Sequence, residues 1–262
     1  MSKTNGELAG CLKELHLPTV LSCYQELADT SRREALTPEA YLLEVMQREC
    51  QCRRQQRTER LLRESRLPLD KSLGGFDLKR LPGKVSAMVR TLLDGSFVDR
   101  KENVLAFGNP GSGKTHLLCA IGQELVRAGR TVYFRSTNLL VQELLLAKRE
   151  LKLPKVIKKL ARYQALILDD LGYVQQSREE MEVLFTLLAE RYERGSVLIT
   201  SNLPFSKWES IFKDAMTTAA VIDRLVHHSV ILELNLPSYR VEQAKKSKAA
   251  AVGNEALTAA QK

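Results

Sequence analysis

Short apolar runs alternate with longer amphipathic segments through the second half of the chain. The short runs are mostly apolar or β-branched and predict strands at 104–107, 131–134, 166–168, 196–200 and 230–234. The segments between them have helical spacing and predict helices at 117–127, 138–148, 179–194 and 215–225. Apolar strands that alternate with helices are typical of a parallel sheet covered on both faces. We therefore predict an α/β core in which a parallel sheet lies between helices.

Residues 6–66 have helical spacing throughout, with no strand pattern between the helices. Leu8, Leu12 and Leu15 recur at the spacing of one helix face. Thr37 followed by Pro38 and Glu39 is a typical helix start, and that helix can continue to the residue before Pro68. We therefore predict an N-terminal helical domain over 1–67, with a role in oligomerisation, partner binding or DNA binding.

Helix-breaking residues follow this region at Pro68, Gly74, Gly75, Pro82 and Gly83. Their density predicts a linker over 68–83. A second domain is then expected over 84–244, beginning with a short helix. A tail rich in Ala and Lys, 245–262, is expected to be flexible.

Positive charge is clustered in two places, in a chain whose net charge is +9. In the first cluster, Arg53, Arg57 and Arg60 fall on one helical face. The second cluster comprises Lys148, Arg149, Lys152, Lys155, Lys158, Lys159 and Arg162. Basic side chains without interleaved aromatic residues suit contact with phosphates, so both clusters are candidates for binding nucleic acid with weak sequence preference. The alternative is a solvated charged helix, in which Glu59 and Glu64 neutralise the first cluster.

Several classes of protein do not fit the chain. It has no run of about 18 apolar residues, so no membrane span is expected. The N-terminus lacks the order of a signal peptide, which predicts a cytoplasmic protein. The five cysteines form no CxxC pair, and His227 and His228 have no ligand partners nearby in the sequence. We therefore expect reduced thiols and no zinc site.

A P-loop motif, G-x-x-x-x-G-K-[ST], follows the first predicted strand and precedes a helix. Its glycines allow backbone N–H groups to surround a phosphate at the helix N-terminus. Lys114 is expected to reach the β- and γ-phosphates of ATP, and the Thr115 hydroxyl to bind Mg²⁺. A chance glycine-rich turn is the alternative. The predicted nucleotide contacts are Gly108, Asn109, Pro110, Gly111, Ser112, Gly113, Lys114, Thr115 and His116.

Two carboxylates, Asp169 and Asp170, end the apolar strand that follows one βα unit later. Asp169 is expected to hold Mg²⁺, and Asp170 to orient or deprotonate the attacking water. A simple strand-to-turn signal is the alternative. The next strand ends in Thr200, Ser201 and Asn202, and Asn202 either positions the same water or forms a turn before Pro204.

Five segments together resemble the IstB family of AAA+ ATPases, which assist a DNA transposase. They are GxPGSGKTHL at 108–117, LILDDLGY at 166–173, ERYER at 190–194, LITSN at 198–202 and VIDRL at 221–225. DnaC-type helicase loaders are close relatives of this family, and DnaA initiators are more distant ones. The resemblance covers essentially the whole chain, and LGY together with the short C-terminus points to IstB.

The resemblance implies an AAA+ core that oligomerises on duplex DNA with ATP bound. It also implies that the protein deforms a target and recruits the transposase of the same element, which stimulates hydrolysis. By position, Lys114 and Thr115 belong to Walker A, Asp169 and Asp170 to Walker B, and Asn202 is sensor 1. Arg224 takes the place of the arginine finger that reaches the neighbouring subunit's γ-phosphate. The alternatives are an ordinary ion pair of Arg224 with Asp223, or a finger at Arg191 or Arg194.

Two features depart from the wider AAA+ pattern. Asp170 replaces the glutamate of many AAA+ enzymes, and its shorter reach predicts slow basal hydrolysis. Residues 239–262 are too few for a full C-terminal lid domain, which leaves Arg240 as the substitute for its sensor 2 arginine.

Three other functions are weighed against the transposition helper. A DnaC-like helicase loader fits the same motifs and is the main alternative. A small-molecule kinase requires a substrate pocket and lid arginines that the chain lacks. A nucleotide-gated scaffold requires assembly but only vestigial hydrolysis.

Overall fold

A computed structural model describes residues 3–172, 177–239 and 241, and it divides into two compact units, Met1–Arg60 and Leu61–Lys262. The predicted tail over 245–262, Arg240 and Tyr173 of the LGY segment lie outside the described residues. None of the described helices is long and apolar enough to cross a membrane.

The first unit is helical, as the sequence predicts. It contains α1 (Lys3–Glu14), α2 (Pro18–Arg33) and most of α3 (Pro38–Ser65). Its small core includes Leu12, Val20 and Val45. The buried carboxylate of Glu49 accepts hydrogen bonds from the backbone N–H groups of Thr19 (2.9 Å) and Val20 (3.1 Å). Since Leu17, the residue that precedes α2, provides no side-chain cap, Glu49 caps that helix from α3.

The second unit has a five-stranded parallel sheet in the order β2-β3-β4-β1-β5. The strands are β1 (Asn103–Gly108), β2 (Val132–Ser136), β3 (Ala165–Leu171), β4 (Ser196–Ser201) and β5 (Ser229–Leu234). The helices are α4 (Gly83–Leu92), α5 (Ser96–Asp99), α6 (Lys114–Arg127), α7 (Thr137–Arg149), α8 (Leu153–Ala161), α9 (Arg178–Arg191), α10 (Glu209–Phe212) and α11 (Ala215–Val226). Short 3₁₀ turns lie at Leu73–Gly75, Leu78–Arg80 and Phe205–Lys207. The predicted parallel α/β core is confirmed.

Both faces of the sheet are covered, which explains why its strands are apolar throughout. In β1, Val104 and Ala106 pack in a cluster with α4 and α6, whereas Leu105 packs in a second cluster with α7, α9 and α11. Alternate residues of one strand therefore enter opposite layers of the core. The arrangement places the carboxyl ends of β1, β3 and β4 next to one another.

The boundary between the units lies earlier than the sequence suggests, after Arg60 rather than after Leu67. Leu67 and Leu81 are buried in the core of the second unit. The Gln123 side chain on α6 donates hydrogen bonds to the carbonyl groups of Pro68 (2.9 Å) and Lys71 (3.2 Å). The segment over 68–83, expected to be a linker, is therefore a packed and hydrogen-bonded part of the second unit.

Helix α8 is not predicted from the sequence, where its three lysines were assigned to a basic cluster instead. Its apolar residues nevertheless fall on one face, where Ile157 and Leu160 are buried and Leu153 and Val156 pack against the same core. Helix α9 ends at Arg191, whereas the sequence predicts a helix that continues to Arg194.

Candidate nucleotide-binding site

The P-loop connects β1 to the N-terminus of α6 and requires glycine at two of its turns. Gly111 (φ +79°) and Gly113 (φ +98°) have the left-handed backbone that favours glycine. A Cβ atom on Gly111 would lie 2.1 Å from the Ser238 hydroxyl, and one on Gly113 would lie 2.9 Å from the Phe76 ring. The loop therefore passes so close to Ser238 and Phe76 that a side chain would not fit at either glycine. Its backbone N–H groups lie near the N-terminus of α6.

Lys114 is buried at the beginning of α6, and its ammonium group is held by three oxygen atoms. It donates to the carbonyl groups of Gly108 (2.8 Å) and Asn109 (2.9 Å) and to Oδ1 of Asn202 (2.5 Å). A buried charge requires such partners. The structure thus brings together Lys114 and Asn202, which the sequence places on different strand–helix connections.

Asp169 lies within hydrogen-bond distance of Thr115, as its predicted role requires. The Thr115 hydroxyl donates to Oδ1 of Asp169 (2.7 Å), and the Thr200 hydroxyl donates to the same oxygen (2.7 Å). A hydroxyl and a carboxylate are oxygen ligands of the kind that Mg²⁺ prefers. Thr200 was not assigned a role from the sequence, although its position at the end of a strand beside β3 was the available signal.

Asp170 is exposed and has a positive φ of +59°. Its backbone N–H donates to the Thr200 hydroxyl (2.8 Å), and the pairing of β3 with β4 shifts register between Leu168 and Leu171. A left-handed backbone costs a non-glycine residue about 1–2 kcal/mol. Here it separates two adjacent carboxylates: Asp169 is buried against the threonines, whereas Asp170 lines an open cavity.

The cavity has a volume of about 400 Å³ and is bordered by the P-loop, Asp170 and Asn202. The remaining wall was missed by sequence reasoning, because it comes from the expected linker and from the chain after β5. Its residues are Lys71, Gly75, Phe76, Asp77, Arg80, Leu236 and Tyr239. The buried Ser112 hydroxyl has no hydrogen-bond partner among the described residues, and a phosphate oxygen would satisfy it. These features fit a nucleotide with a bound cation.

His116 lines the cavity and also fixes its wall. Its Nε2 lies 2.8 Å from the Ser72 carbonyl oxygen, and its ring meets the Phe76 ring edge-on at a centroid distance of 5.3 Å. The predicted nucleotide contact therefore supports the segment around Phe76 as well.

The chain after β5 is attached to the P-loop. The backbone N–H of Tyr239 donates to the Gly111 carbonyl (3.0 Å). Arg80 donates to the Pro237 carbonyl (3.2 Å), and its guanidinium lies 5.1 Å from the centroid of the Tyr239 ring. These contacts close one side of the cavity.

The three arginines considered for a finger have different surroundings. Arg191 is only 2% exposed, and it donates to the carbonyl groups of Tyr163, Gln164 and Ser196. Burial lowers its pKa to about 10. The Arg191 side chain is therefore held inside the core, and the alternative that places the arginine finger at Arg191 is wrong.

Arg194 pairs with Glu190 on the surface. Arg224 donates to the Ala220 carbonyl (2.9 Å), and its guanidinium lies 5.2 Å from the centroid of the Phe185 ring. Within the described part of the chain it forms no ion pair, so the expected alternative of a pair with Asp223 is not found.

The second basic cluster lies on and around α8. Lys148 pairs with Glu182 (3.0 Å) and Lys152 with Glu150 (2.9 Å). The others are exposed and form no ion pair with described residues: Arg149, Lys155, Lys158, Lys159 and Arg162. Their side chains form an open basic face opposite the buried face of α8.

The first basic cluster is less open. Arg53 bonds the Glu49 carboxylate (2.7 Å) and the His16 carbonyl, so it is already used within the N-terminal unit. Arg57 and Arg60 are exposed on the same helix.

Comparisons with known proteins agree with this site. The family described as IstB-like ATP binding protein matches residues 10–249. A Sinorhizobium fredii protein, named as an insertion-sequence ATP-binding protein, is 41% identical over 238 residues, which cover 90% of this chain and 80% of that protein. A Pseudomonas aeruginosa protein, named for insertion sequence IS21 and for ATP binding, is 36% identical and covers 92% of this chain and 91% of its own length.

Two solved structures have a similar fold. A crystal structure of the DnaC helicase loader has 20% identity and a TM-score of 0.54, and it covers 63% of this chain and 97% of its own. AMPPCP-bound DnaA from Aquifex aeolicus has 18% identity and a TM-score of 0.52, and it covers 69% of this chain and 56% of its own. At these identities the similarity shows a shared fold alone.

Proposed function

Since the chain belongs to the family of IstB-like ATP-binding proteins, we propose that it is an ATP-dependent, DNA-binding helper of transposition. In this proposal it oligomerises on duplex DNA, prepares the target site and recruits the transposase of the same element. ATP hydrolysis controls disassembly. The observation that carries the ATP-dependent part is the meeting of Lys114, Thr115, Asp170 and Asn202 at one cavity, where Thr115 is bonded to Asp169.

The proposed nucleotide contacts follow from the geometry of the cavity. Lys114 exchanges its bonds to the P-loop carbonyls and to Asn202 for phosphate oxygens. Thr115 and Asp169 would hold Mg²⁺, and Thr200 keeps the carboxylate of Asp169 in position. A magnesium ion bound there would neutralise charge on the phosphate oxygens. Phe76 and Tyr239 provide apolar surface for the base.

The proposed hydrolysis depends on the separation of the two carboxylates. Asp170 faces the cavity and accepts a proton from water as the water oxygen bonds to the γ-phosphorus. The bond from the γ-phosphorus to the bridging oxygen breaks, and ADP leaves. Asn202 orients the water once Lys114 has turned to the phosphates. Arg224 serves the site of a neighbouring copy, where it stabilises charge on the γ-phosphate.

The open basic face of α8 is the proposed DNA contact. Its lysines are exposed and form no ion pair with a carboxylate among the described residues, whereas Arg53 in the first cluster is bonded to Glu49. Phosphates along a duplex would supply the missing counter-charges. The proposal therefore places DNA on the second cluster, with weak sequence preference.

The relatives favour a transposase over a helicase as the partner. Proteins named for insertion sequences reach 41% identity over most of this chain, whereas the helicase loader shares only the fold. A pull-down with the transposase of the same element beside a replicative helicase tests this choice. Retention of the helicase alone would favour the loader.

Light scattering after size-exclusion chromatography tests the assembly, with duplex DNA present and with or without ATP. We expect a large DNA-bound species with ATP that is lost in Lys114→Ala and in Arg224→Ala. Arg100→Ala is the matched control, because it removes an exposed arginine that is paired with Glu102 and was not a finger candidate. A chain that stays monomeric and binds no DNA, whether ATP is present or absent, would overturn the proposal.

A further inference from the structure

Three exposed side chains with metal-binding chemistry meet at the edge of the sheet where β4 and β5 begin. Glu193 lies in the turn between α9 and β4, and His227 and His228 lie in the turn between α11 and β5. One carboxylate oxygen and one nitrogen of each imidazole lie within 4.8 Å of one another. The sequence alone showed no partner for the two histidines, because Glu193 is distant in the chain.

The backbone and a neighbouring phenol hold this group together. Glu193 has a left-handed φ of +57°, a conformation that few glutamates adopt. The Tyr192 hydroxyl lies 3.1 Å from Nδ1 of His227, and the centroids of the two imidazole rings are 4.1 Å apart. A hydrogen bond at one imidazole nitrogen orients the ring and presents the other nitrogen to an ion.

We propose that Glu193, His227 and His228 form a site for a divalent transition-metal ion such as Zn²⁺. Two imidazole nitrogens and one carboxylate oxygen are a common ligand set for this class of ion, and water fills the remaining positions. Mg²⁺ prefers oxygen ligands, so this site is chemically distinct from the one proposed at Thr115 and Asp169.

An ion at this site links two turns of the second unit. One turn follows α9, and the other follows α11, the helix that carries Arg224. Binding therefore stabilises the folded unit and fixes the C-terminal end of α11, at the opposite edge of the sheet from the nucleotide cavity.

Calorimetric titration of the full chain with Zn²⁺, without nucleotide, tests the proposal independently of ATP or DNA binding. The titration uses a Cys11→Ser, Cys50→Ser, Cys52→Ser background, because these thiols are not fully buried and would compete for the ion. We expect one ion per chain, and a rise in the thermal unfolding midpoint when Zn²⁺ is added.

Glu193→Gln and His228→Asn are each expected to lower the affinity for Zn²⁺ by at least about tenfold and to remove the rise in midpoint. His16→Gln is the matched control, since it removes an exposed histidine from the N-terminal unit. Circular dichroism checks that each variant is folded. Binding that is unchanged in both site variants, or no binding by the parent chain, would overturn the proposal.

Discussion

The sheet edge at the nucleotide cavity and the outer face of α8 are both charged, but their side chains have opposite surroundings. At the sheet edge, Lys114 is bonded to Asn202, and Asp169 is bonded to two threonines. On α8, Lys155 and its neighbours are exposed and form no ion pair with any residue that the structure describes. Positioned charges suit one small ligand, whereas an open basic face suits a long anion. The two regions should therefore be separable by substitution.

The largest expected effect is at Asp170. Asp170→Asn removes the proposed proton acceptor while it keeps the size of the side chain, so kcat for ATP hydrolysis should fall about 10²- to 10⁴-fold. ATP affinity and DNA binding should be retained, because the substitution leaves both the P-loop and the basic face of α8 unchanged. Single-turnover hydrolysis and a nucleotide-binding titration measure the two properties.

Asp94→Asn is the control for this experiment, since Asp94 is an exposed carboxylate that accepts a hydrogen bond from the Ser96 N–H in its own turn (2.7 Å). Turnover that is equal in Asp170→Asn and in the parent chain would exclude Asp170 as the base.

The next effect tests the other region. Replacing Lys155, Lys158 and Lys159 with glutamate should weaken DNA binding about 10²- to 10³-fold at 0.1 M salt, if each lysine neutralises one phosphate. The slope of log K against log salt should fall by about 3. ATP affinity should not change. Fluorescence anisotropy with labelled duplex at several salt concentrations gives both quantities.

A control variant replaces three lysines that are exposed elsewhere, Lys13, Lys84 and Lys207, with glutamate. It changes the net charge by the same amount. Equal losses in the two triple variants would show that total charge, and not the face of α8, determines the affinity.

A smaller effect is expected at Thr200, whose hydroxyl is hydrogen-bonded to both Asp169 and Asp170. Thr200→Val removes a donor to Asp169 and an acceptor for the Asp170 N–H. Leaving such buried groups unsatisfied costs about 1–3 kcal/mol, so the free energy of unfolding should fall by that amount. Urea denaturation measures it, and Thr200→Ser should restore most of the loss. A Thr200→Val chain as stable as its parent would show that water replaces the hydroxyl.

The sequence predicts the nucleotide edge of the sheet better than its other features, and the reason is physical. The P-loop, Asp169 and Asn202 each follow an apolar strand directly, so local pattern and parallel strand order are enough to bring them together. The wall around Phe76 and Arg80 depends on contacts between distant segments, such as Gln123 with the Pro68 carbonyl. Such contacts have no local signature, and the breakers in this segment suggested a loose linker.

The same limit applies to Arg191 and α8. In the sequence, a buried arginine that bonds four carbonyl groups looks the same as an exposed one. The lysines of α8 drew attention to charge, although Ile157 and Leu160 already had helical spacing. Charged residues can be counted from the sequence, but whether each one is buried, paired or exposed is known only from the fold.

The smallest expected effect lies at the turn before α8. Leu151 is 91% exposed and has a φ of +57°, two residues after the last residue of α7. Its N–H donates to the Lys148 carbonyl, and the Lys152 N–H donates to the Ala147 carbonyl, a helix end that usually favours glycine. Leu151→Gly should therefore raise the free energy of unfolding by up to about 1 kcal/mol, because glycine relieves the left-handed strain.

Leu146→Gly provides the opposite expectation, since Leu146 is also exposed but lies inside α7. There glycine should destabilise the chain by about 1 kcal/mol. Urea denaturation of the two variants thus separates backbone strain from the loss of an exposed leucine. If both substitutions destabilise equally, the Leu151 side chain makes contacts that outweigh its strain, and the turn before the basic face is more rigid than its exposure indicates.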